Sequence, residues 1–594
     1  MAEQATIRRP RRSERRKSPL AQAATIGFVF GVLALYLVAV GLFLMFHARW
    51  IIVDVLSLGH ATLLTIGIAT GIAVARRQAE LTPSAIRLNS CLAGAIGGGM
   101  LAILLLAMTL IDLRTVFIAL SRDLFQALTF HVGLLGGMAI LIGAGAALAV
   151  LGAVLSRCPP KIWRPILIGV LAVAFFGVFQ ELLQIMMQTN AVVDAVRDLL
   201  YTWDGLSLQG AIIIFAVVAG GVFIAGELKR RGVVLVRTET PVQRRRMLAI
   251  RIILLVLGLI FIPVLAGSYI GQVLLLVGLY ILMGMGLNLE VGLAGLLDLG
   301  FVAFFAVGAY TTALLTADST HALAAYTALP SLSYWAAMPI AVVMAIIVGV
   351  LFGIPVLGVR GDYLAVATMG LGEIVRVLVQ SDFAAPLLNG AQGILQIPKP
   401  KLGGFELADP VDLYYLTLVA SAVAAYFAWR LENSRLGRAW MAIRDDEDVA
   451  QALGINLVKI KLLAYGLGAA FAGLAGSIFA TMLTSVYPSS FQLLISINVL
   501  ALVIVGGMGS LPGVIVGSVA LVGLPELLRE FGEYRYLFYG AALIVMMRIR
   551  PEGLWPSRIR RRELHAADEE VPEADVAAME PLEATGANLR RSGS

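Results

Sequence analysis

Long apolar runs alternate with short polar segments along most of this chain. In the first part of the chain, the runs lie near residues 21–46, 50–75, 89–112, 132–156, 163–187 and 207–227. In the second part, they lie near residues 247–266, 269–289, 294–316, 335–357, 363–380, 412–430, 461–484, 491–509, 511–529 and 534–549. Because about 20 helical residues cross a bilayer core, the pattern predicts an all-α, polytopic membrane protein of roughly 16 transmembrane helices, with half-spans among them.

Polar stretches divide the chain into five predicted parts. The linker is basic and polar and contains Pro241, and the C-terminal segment is rich in Ala, Pro and Glu without a periodic apolar face. Such a composition cannot bury enough apolar surface to fold, so the C-terminal segment is expected to be disordered. The parts are a basic N-terminal segment 1–20, a membrane block 21–227 of about six helices, a linker 228–246, a second membrane block 247–550 and a tail 551–594.

Composition and charge support a membrane location. Hydrophobic residues make up 59% of the chain and charged residues only 14%, whereas soluble domains carry about 25% charged residues. The formal net charge of +7 comes largely from short basic loops, as at 75–78 and 156–164, so it indicates topology and not nucleic-acid binding. Basic loops stay on the cytoplasmic side. This predicts a multi-pass protein of the bacterial plasma (inner) membrane with cytoplasmic N- and C-termini, in contact with membrane lipids.

Common catalytic and metal-binding motifs are absent from the sequence. There is no GxxxxGK[ST] phosphate loop, no HExxH and no GxSxG. Cys91 and Cys158 stand apart, and the five histidines are scattered, so no metal site is indicated. We therefore expect no catalytic residue, no bound cofactor and no enzyme activity.

Polar residues and glycines at membrane depth form the candidate translocation path. Ionisable groups are expensive in lipid and tend to face protein or water, and a glycine-broken helix frees backbone groups to line a cavity. Glu373 and Arg376 are three residues apart, so they share a helix face. Two plainer interpretations stay open, namely a short loop joining ordinary spans and a helix end that emerges into water. The path candidates are Asn288, Glu290, Gly292, Gly295, Asp298, Gly300, Glu373 and Arg376.

The charged segment SRLGRAWMAIRDDEDVAQALGIN, residues 434–456, separates two apolar runs. Asp445 is expected to cap a short helix, Asp446–Leu453, which Gly454 ends. Val449 and Leu453 share one face of that helix, flanked by Ala450 and Ala452, and a small apolar face of this kind suits a groove in another protein. A second stripe, at Leu436, Trp440 and Ile443, suits the membrane surface. The plainer interpretation is a solvated loop helix.

The second membrane block resembles the permease subunits of branched-chain amino-acid ABC importers, the LivM-like family. The resemblance covers about 250–556 and lies in GMGLNLEVGLAGLLDLGFVAFFAVGAY, VRGDYLAVATMGLGEIVRVLV, the segment 434–480 and VIVGGMGSLPGVIVG. Such permeases carry a cytoplasmic Glu-Ala-Ala…Gly loop that docks on an ATPase. Here Asp448-Val449-Ala450 takes its place, with Gly454 at matching spacing, in a coupling loop spanning 431–461. The residues that the resemblance assigns to ATPase coupling are Arg438, Asp445, Asp448, Val449, Ala450, Leu453 and Gly454.

The resemblance also implies a set of partners. These are two cytoplasmic ABC ATPases that use ATP, a second LivH-like permease, and a periplasmic or lipid-anchored substrate-binding protein. It implies import of branched-chain or related amino acids, while related permeases carry urea, short amides or other small polar solutes. An ion-coupled secondary transporter is the alternative of another class, because buried ionisable residues also mark ion pathways.

Overall fold

The computed structural model describes residues 18–111, 113–115, 117, 119–187, 191–202, 205–230, 241–317, 331–356, 358, 362–550 and 552–557. Most of the N-terminal segment 1–20, the middle of the linker 228–246 and most of the tail 551–594 therefore lie outside the described residues. The predicted all-α, polytopic fold class is confirmed. The chain forms two units, Met1–Ile250 and Arg251–Ser594.

The N-terminal unit is built from helices and two short hairpins. Its described α-helices are Pro19–Ala39, Leu42–His47, Leu58–Arg77, Pro83–Leu110, Arg122–Thr129, Leu134–Leu155, Pro160–Val178, Gln180–Met186, Ala191–Leu200 and Leu208–Arg230, with a 3₁₀ turn at Leu113–Thr115. Its antiparallel strand pairs are Trp50–Ile52 with Leu56–Ser57 and Tyr201–Thr202 with Gly205–Leu206.

Small residues bring the helices of the N-terminal unit close together. A Cβ atom at Gly94 would overlap the backbone carbonyl of Gly145 on a neighbouring helix. Contacts of this kind replace the hydrophobic driving force that lipid does not supply between helices. Among the histidines of this unit, His60 forms a hydrogen bond with Ser57 (2.9 Å), which in turn bonds His47 (3.0 Å). Burial and the neighbouring histidines lower the pKa of His47.

The C-terminal unit holds the remaining helices. The Pro241–Leu287 helix crosses the boundary between the units and leaves helical geometry at Gly267. The other described α-helices are Val302–Thr316, Tyr334–Val356, Asp362–Gln380, Ala385–Leu388, Pro410–Glu432, Arg435–Asp445, Glu447–Ala452, Leu457–Leu483, Leu493–Gly506, Leu511–Ser518, Leu524–Leu527 and Arg535–Ile549. Short π-helices lie at Asn288–Leu293 and Val519–Gly523, and 3₁₀ turns at Gly390–Gln392, Pro488–Ser490 and Arg529–Tyr534.

Two segments form the centre of the C-terminal unit. In the most apolar window of Ala266–Leu293, 72% of residues are buried, and in that of Leu457–Leu483, 67%, whereas the other candidate spans reach 17–39%. The Leu457–Leu483 helix, called the central helix below, contacts Val302–Thr316 through glycines. A Cβ atom at Gly308 would overlap the backbone of Gly473 on the central helix.

The central helix ends at a small strand pair. Its C-terminal cap, Thr484, has a left-handed backbone (φ 55°). The chain then forms the strand Ser485–Val486, which pairs antiparallel with Ile394–Leu395. The second strand pair of this unit joins Lys401–Leu402 to Phe405–Glu406.

The predicted total of 16 spans is not confirmed. Eleven described helices are long and apolar enough to cross a membrane: Pro19–Ala39, Leu58–Arg77, Pro83–Leu110, Leu134–Leu155, Leu208–Glu227, Ala266–Leu293, Tyr334–Pro355, Tyr363–Gln380, Pro410–Glu432, Leu457–Leu483 and Pro488–Gly506. Four shorter apolar helices are Trp163–Val178, Ile253–Val264, Val302–Thr316 and Leu511–Leu527. Several predicted runs are shorter as helices because their backbone turns at glycine, as at Gly41 (φ 91°) and Gly295 (φ 73°).

Candidate functional site

The first group of path candidates lies on the π-helix Asn288–Leu293. Asn288 is buried, and its side-chain oxygen accepts a hydrogen bond from the backbone N–H of Gly509 (2.8 Å). That bond joins the π-helix to the turn between Leu493–Gly506 and Leu511–Ser518. Single π-turns inside α-helices occur frequently at functional sites.

Gly292 and Gly295 allow other parts of the chain to approach the π-helix closely. A Cβ atom at Gly292 would lie 2.6 Å from the backbone nitrogen of Gly509. Gly295 has a left-handed backbone (φ 73°), and a Cβ atom there would lie 2.7 Å from Cγ of Arg444. The Arg444 guanidinium donates a hydrogen bond to the backbone oxygen of Gly292 (2.9 Å). Gly292 and Gly295 therefore leave the space in which the Arg444 side chain packs and forms its hydrogen bond.

Asp298 and Gly300 shape the loop before the Val302–Thr316 helix. The Asp298 carboxylate accepts a hydrogen bond from the Gly300 backbone N–H (2.7 Å), and the Leu299 N–H donates to the Thr368 hydroxyl (3.0 Å). A Cβ atom at Gly300 would overlap the Thr368 carbonyl. The loop is therefore packed against the Asp362–Gln380 helix.

Glu290 lies fully buried beside Asp298. Its carboxyl group lies against the central helix at Gly468, where a Cβ atom would overlap it. The structure thus brings Glu290 and Asp298 together inside the packed unit. Their role in a translocation path stays a prediction.

Glu373 and Arg376 lie elsewhere, on the outer face of the Asp362–Gln380 helix. Arg376 Nε lies 3.0 Å from each carboxylate oxygen of Glu373, so the expected pair forms. The Glu373 side chain is 50% exposed and that of Arg376 31%. A charged pair on the surface of a candidate span requires protein or water beside it, since a charge at the centre of a bilayer costs about 3 kcal/mol.

The charged segment forms two short helices, Arg435–Asp445 and Glu447–Ala452, which we call the coupling segment. Ser434 caps the first helix by accepting hydrogen bonds from the N–H groups of Leu436 and Gly437 (3.1 and 3.3 Å). Trp440 and Ile443 are buried in this chain, so this part of the predicted stripe packs inward instead of facing lipid.

The cap of the second helix differs from the prediction by one residue. Asp445 is the last residue of the preceding helix, whereas Asp446 has an extended backbone and accepts from the N–H groups of Asp448 and Val449 (2.9 and 3.0 Å). The carboxylate that caps a helix must come from a residue outside helical geometry. The helix therefore begins at Glu447 and ends at Ala452. Gly454 has the left-handed backbone expected after a helix end (φ 87°).

The side chains of the second helix separate into two sets. Val449 and Leu453 are 54% and 75% exposed, whereas Ala450 is buried. Val449 and Leu453 are thus exposed together, whereas Ala450 belongs to the inner side of the helix, and the role of these residues in ATPase coupling stays a prediction. Arg438, Asp445 and Asp448 are exposed to solvent.

Three contacts of the coupling segment were missed in the sequence. Trp440 donates its indole N–H to the Ile460 carbonyl (2.8 Å), Glu447 pairs with Lys461 (2.6 Å), and Arg444 binds Gly292. Of these three contacts, only the one made by Lys461 has a signal in the sequence. A lysine near the start of an apolar span is expected to have an acidic partner, because a buried ammonium requires one.

Residues 269–547 match the family described as the permease component of branched-chain amino-acid transport systems. No solved structure is significantly similar to this chain.

Three relatives show how far the similarity extends. The high-affinity branched-chain amino-acid transport permease LivM of Escherichia coli K12 is 37% identical, over 65% of this chain and 92% of its own length. The probable LivM of Methanocaldococcus jannaschii is 23% identical, over 49% of this chain and 94% of its own. The LivH permease of Escherichia coli K12 is 22% identical, over 46% and 90%.

The first of these similarities extends beyond the C-terminal unit, because 65% of this chain is more than that unit contains. A protein of this family is a transport subunit and not an enzyme. With most of a LivM relative matched at 37% identity, this chain belongs to the LivM-like family of branched-chain amino-acid transport permeases.

Proposed function

We propose that this chain is the membrane-spanning permease of an ABC importer that moves branched-chain or related amino acids into the cytoplasm. Two separate cytoplasmic ATPases supply the energy. The observation that carries the proposal is the coupling segment and its exposed apolar side chains, Val449 and Leu453. On its inner side, the segment is hydrogen-bonded to the central helix and to the π-helix Asn288–Leu293. An ion-coupled secondary transporter has no need of such a docking element.

The substrate is inferred from the relatives. The matching family and the three relatives carry branched-chain amino-acid transport in their names. A periplasmic or lipid-anchored binding protein delivers the solute and does most of the selecting, so urea, short amides and other small polar solutes remain the alternative cargo.

The exposed ion pair on the Asp362–Gln380 helix supports a second, LivH-like permease as partner. Glu373 and Arg376 lie in a candidate span and on the surface of this chain. Contact with lipid is unfavourable for these charged side chains, so a second permease covers this face. The solute path then runs along the boundary between the two permeases.

Orientation follows from the basic loops. Arg76 and Arg77 close one candidate span, and Arg157 follows another. Cytoplasmic placement of these loops gives cytoplasmic termini in a bacterial plasma membrane, on the same side as the coupling segment.

The proposal is tested by uptake into proteoliposomes that hold the complete complex. We expect leucine, isoleucine or valine to accumulate only with ATP and the binding protein, and unlabelled urea or acetamide to leave that uptake unchanged. Uptake driven by a sodium or proton gradient without ATP would reject the importer mechanism. Competition by urea alone would reject the substrate and keep the mechanism.

The partner surface gives a separate prediction. Val377 lies one turn from Glu373 and is 53% exposed. In a chain whose Cys91 and Cys158 are replaced by serine, we expect Val377→Cys, labelled with a thiol-reactive photocrosslinker, to crosslink to the second permease in membranes. Val419→Cys, 62% exposed on the Pro410–Glu432 helix, is the matched control and should not crosslink. A product of twice this chain's mass would instead show that the chain pairs with itself.

A further inference from the structure

The coupling segment is joined to the start of the central helix by an ion pair whose lysine is buried and whose glutamate is partly buried. Lys461 Nζ lies 2.6 Å from a carboxylate oxygen of Glu447, and the side chains are 5% and 26% exposed. Glu447 is the first residue of the docking helix Glu447–Ala452, and Lys461 lies in the second turn of the central helix.

This pair differs from an ordinary surface ion pair because of its burial. An exposed pair is loose and contributes little. A buried ammonium keeps its partner because separation would leave a charge without solvent. Separation of Glu447 from Lys461 would therefore leave the buried ammonium without its partner.

A second contact reaches the same turn of the central helix. The Trp440 indole donates to the Ile460 carbonyl, next to Lys461. Trp440 belongs to the first helix of the coupling segment, whereas Glu447 belongs to the helix that presents Val449 and Leu453. Of these two contacts, the ion pair is the one that holds the docking helix itself.

We propose that the Glu447–Lys461 ion pair transmits movement of the docking helix to the central helix, so that both are positioning residues for transport. The inference rests on the proposed function, because it assumes that an ATPase moves the docking helix. The docking helix is only six residues long. Without the pair, its displacement would be absorbed by the short connection to the central helix.

The test uses the complete complex and compares uptake with ATP hydrolysis in the same proteoliposomes. Glu447→Gln with Lys461→Met removes both charges and leaves no unpaired buried ion. We expect this double variant to assemble with the ATPases and hydrolyse ATP, while solute moved per ATP falls about tenfold, within the roughly 5- to 150-fold range of coupling between two sites.

Reversal of the pair separates transmission from local packing. Glu447→Lys with Lys461→Glu restores opposite charges, and we expect it to recover most of the lost transport per ATP. Lys459→Met, an exposed position two residues away on the same helix, removes one lysine and should behave as the parent protein.

Several outcomes would overturn the inference. Unchanged transport per ATP in the neutral double variant would show that the pair transmits nothing. Failure of the reversed pair to recover transport, with assembly intact, would reduce Glu447 and Lys461 to packing residues. If the reversed pair also fails to assemble, the pair is required for folding and the inference is rejected. Normal uptake in a variant that no longer binds the ATPases would contradict the proposed function instead.

Discussion

Replacing Val449 or Leu453 by glutamate is expected to abolish solute uptake by detaching the ATPases. Val449 is exposed on the docking helix, and Leu453 is exposed at its C-terminal cap. A carboxylate forced against an apolar groove without a partner costs at least about 3 kcal/mol, which corresponds to binding that is weaker by at least roughly a hundredfold. The effect should appear as loss of the ATPases from the complex on co-purification, with the permease still inserted and folded.

Gln451→Glu provides the matched control. Gln451 is exposed on the same short helix, so the variant adds the same charge to another side of it. We expect this variant to keep the ATPases and transport solute. Normal ATPase binding in Val449→Glu and Leu453→Glu would show that this face is not the docking surface.

Two other positions in the coupling segment give a less direct test. Ala450 is buried, so a glutamate there would disturb packing within the permease before it met a partner. Gly454 has a positive φ that other residues adopt at a cost. The structure makes Ala450→Glu and Gly454→Glu tests of the coupling segment's own fold.

Gly308→Leu is expected to prevent the C-terminal unit from packing. The Cβ atom alone would overlap the backbone of Gly473, and backbone atoms cannot rotate away as a side chain can. Overpacking of a core usually costs 1–3 kcal/mol, and occasionally more. At this backbone contact we expect about 3 kcal/mol or more, seen as a lower unfolding midpoint in detergent and reduced accumulation in membranes.

Gly540→Leu is the control for that experiment. Gly540 lies in the Arg535–Ile549 helix, and a Cβ atom there would meet nothing within 4 Å. This variant adds the same side chain to an open position and should keep the parent's midpoint. An equal loss in both variants would show that leucine harms any helix of this protein, and unchanged stability in Gly308→Leu would contradict the close contact.

The sequence predicted the helical membrane fold because hydrophobic length alone fixes it. It predicted the number of spans less well. A run such as 294–316 is mostly apolar, but its helix begins only at Val302, after a loop that contains Gly295 and Gly300. Hydropathy does not distinguish an apolar loop packed on protein from an apolar helix packed on lipid.

The candidate site shows the same limit at the level of single residues. Local chemistry indicated the cap region, the positive φ at Gly454 and the apolar pair Val449 and Leu453. The sequence-based prediction placed the cap at Asp445, one residue early. Asp445 and Asp446 have the same side chain, and only the end of the preceding helix at Asp445 determines that Asp446 is the cap. Contacts between distant parts of the chain, such as Arg444 with Gly292, depend on tertiary packing that no local pattern encodes.

The central helix makes the two sides of the membrane mechanically dependent on each other. Its 27 residues amount to a rod of about 40 Å at 1.5 Å per residue, longer than the roughly 30 Å hydrocarbon core. One end follows the coupling segment, and the other leads within two residues into the strand Ser485–Val486, which is paired with Ile394–Leu395. If the helix moves as a rigid rod, a tilt imposed at one end displaces the other. By thermodynamic reciprocity, if ATP binding in a partner changed the affinity of the strand pair for a second partner, that second partner would change the affinity for ATP by the same factor.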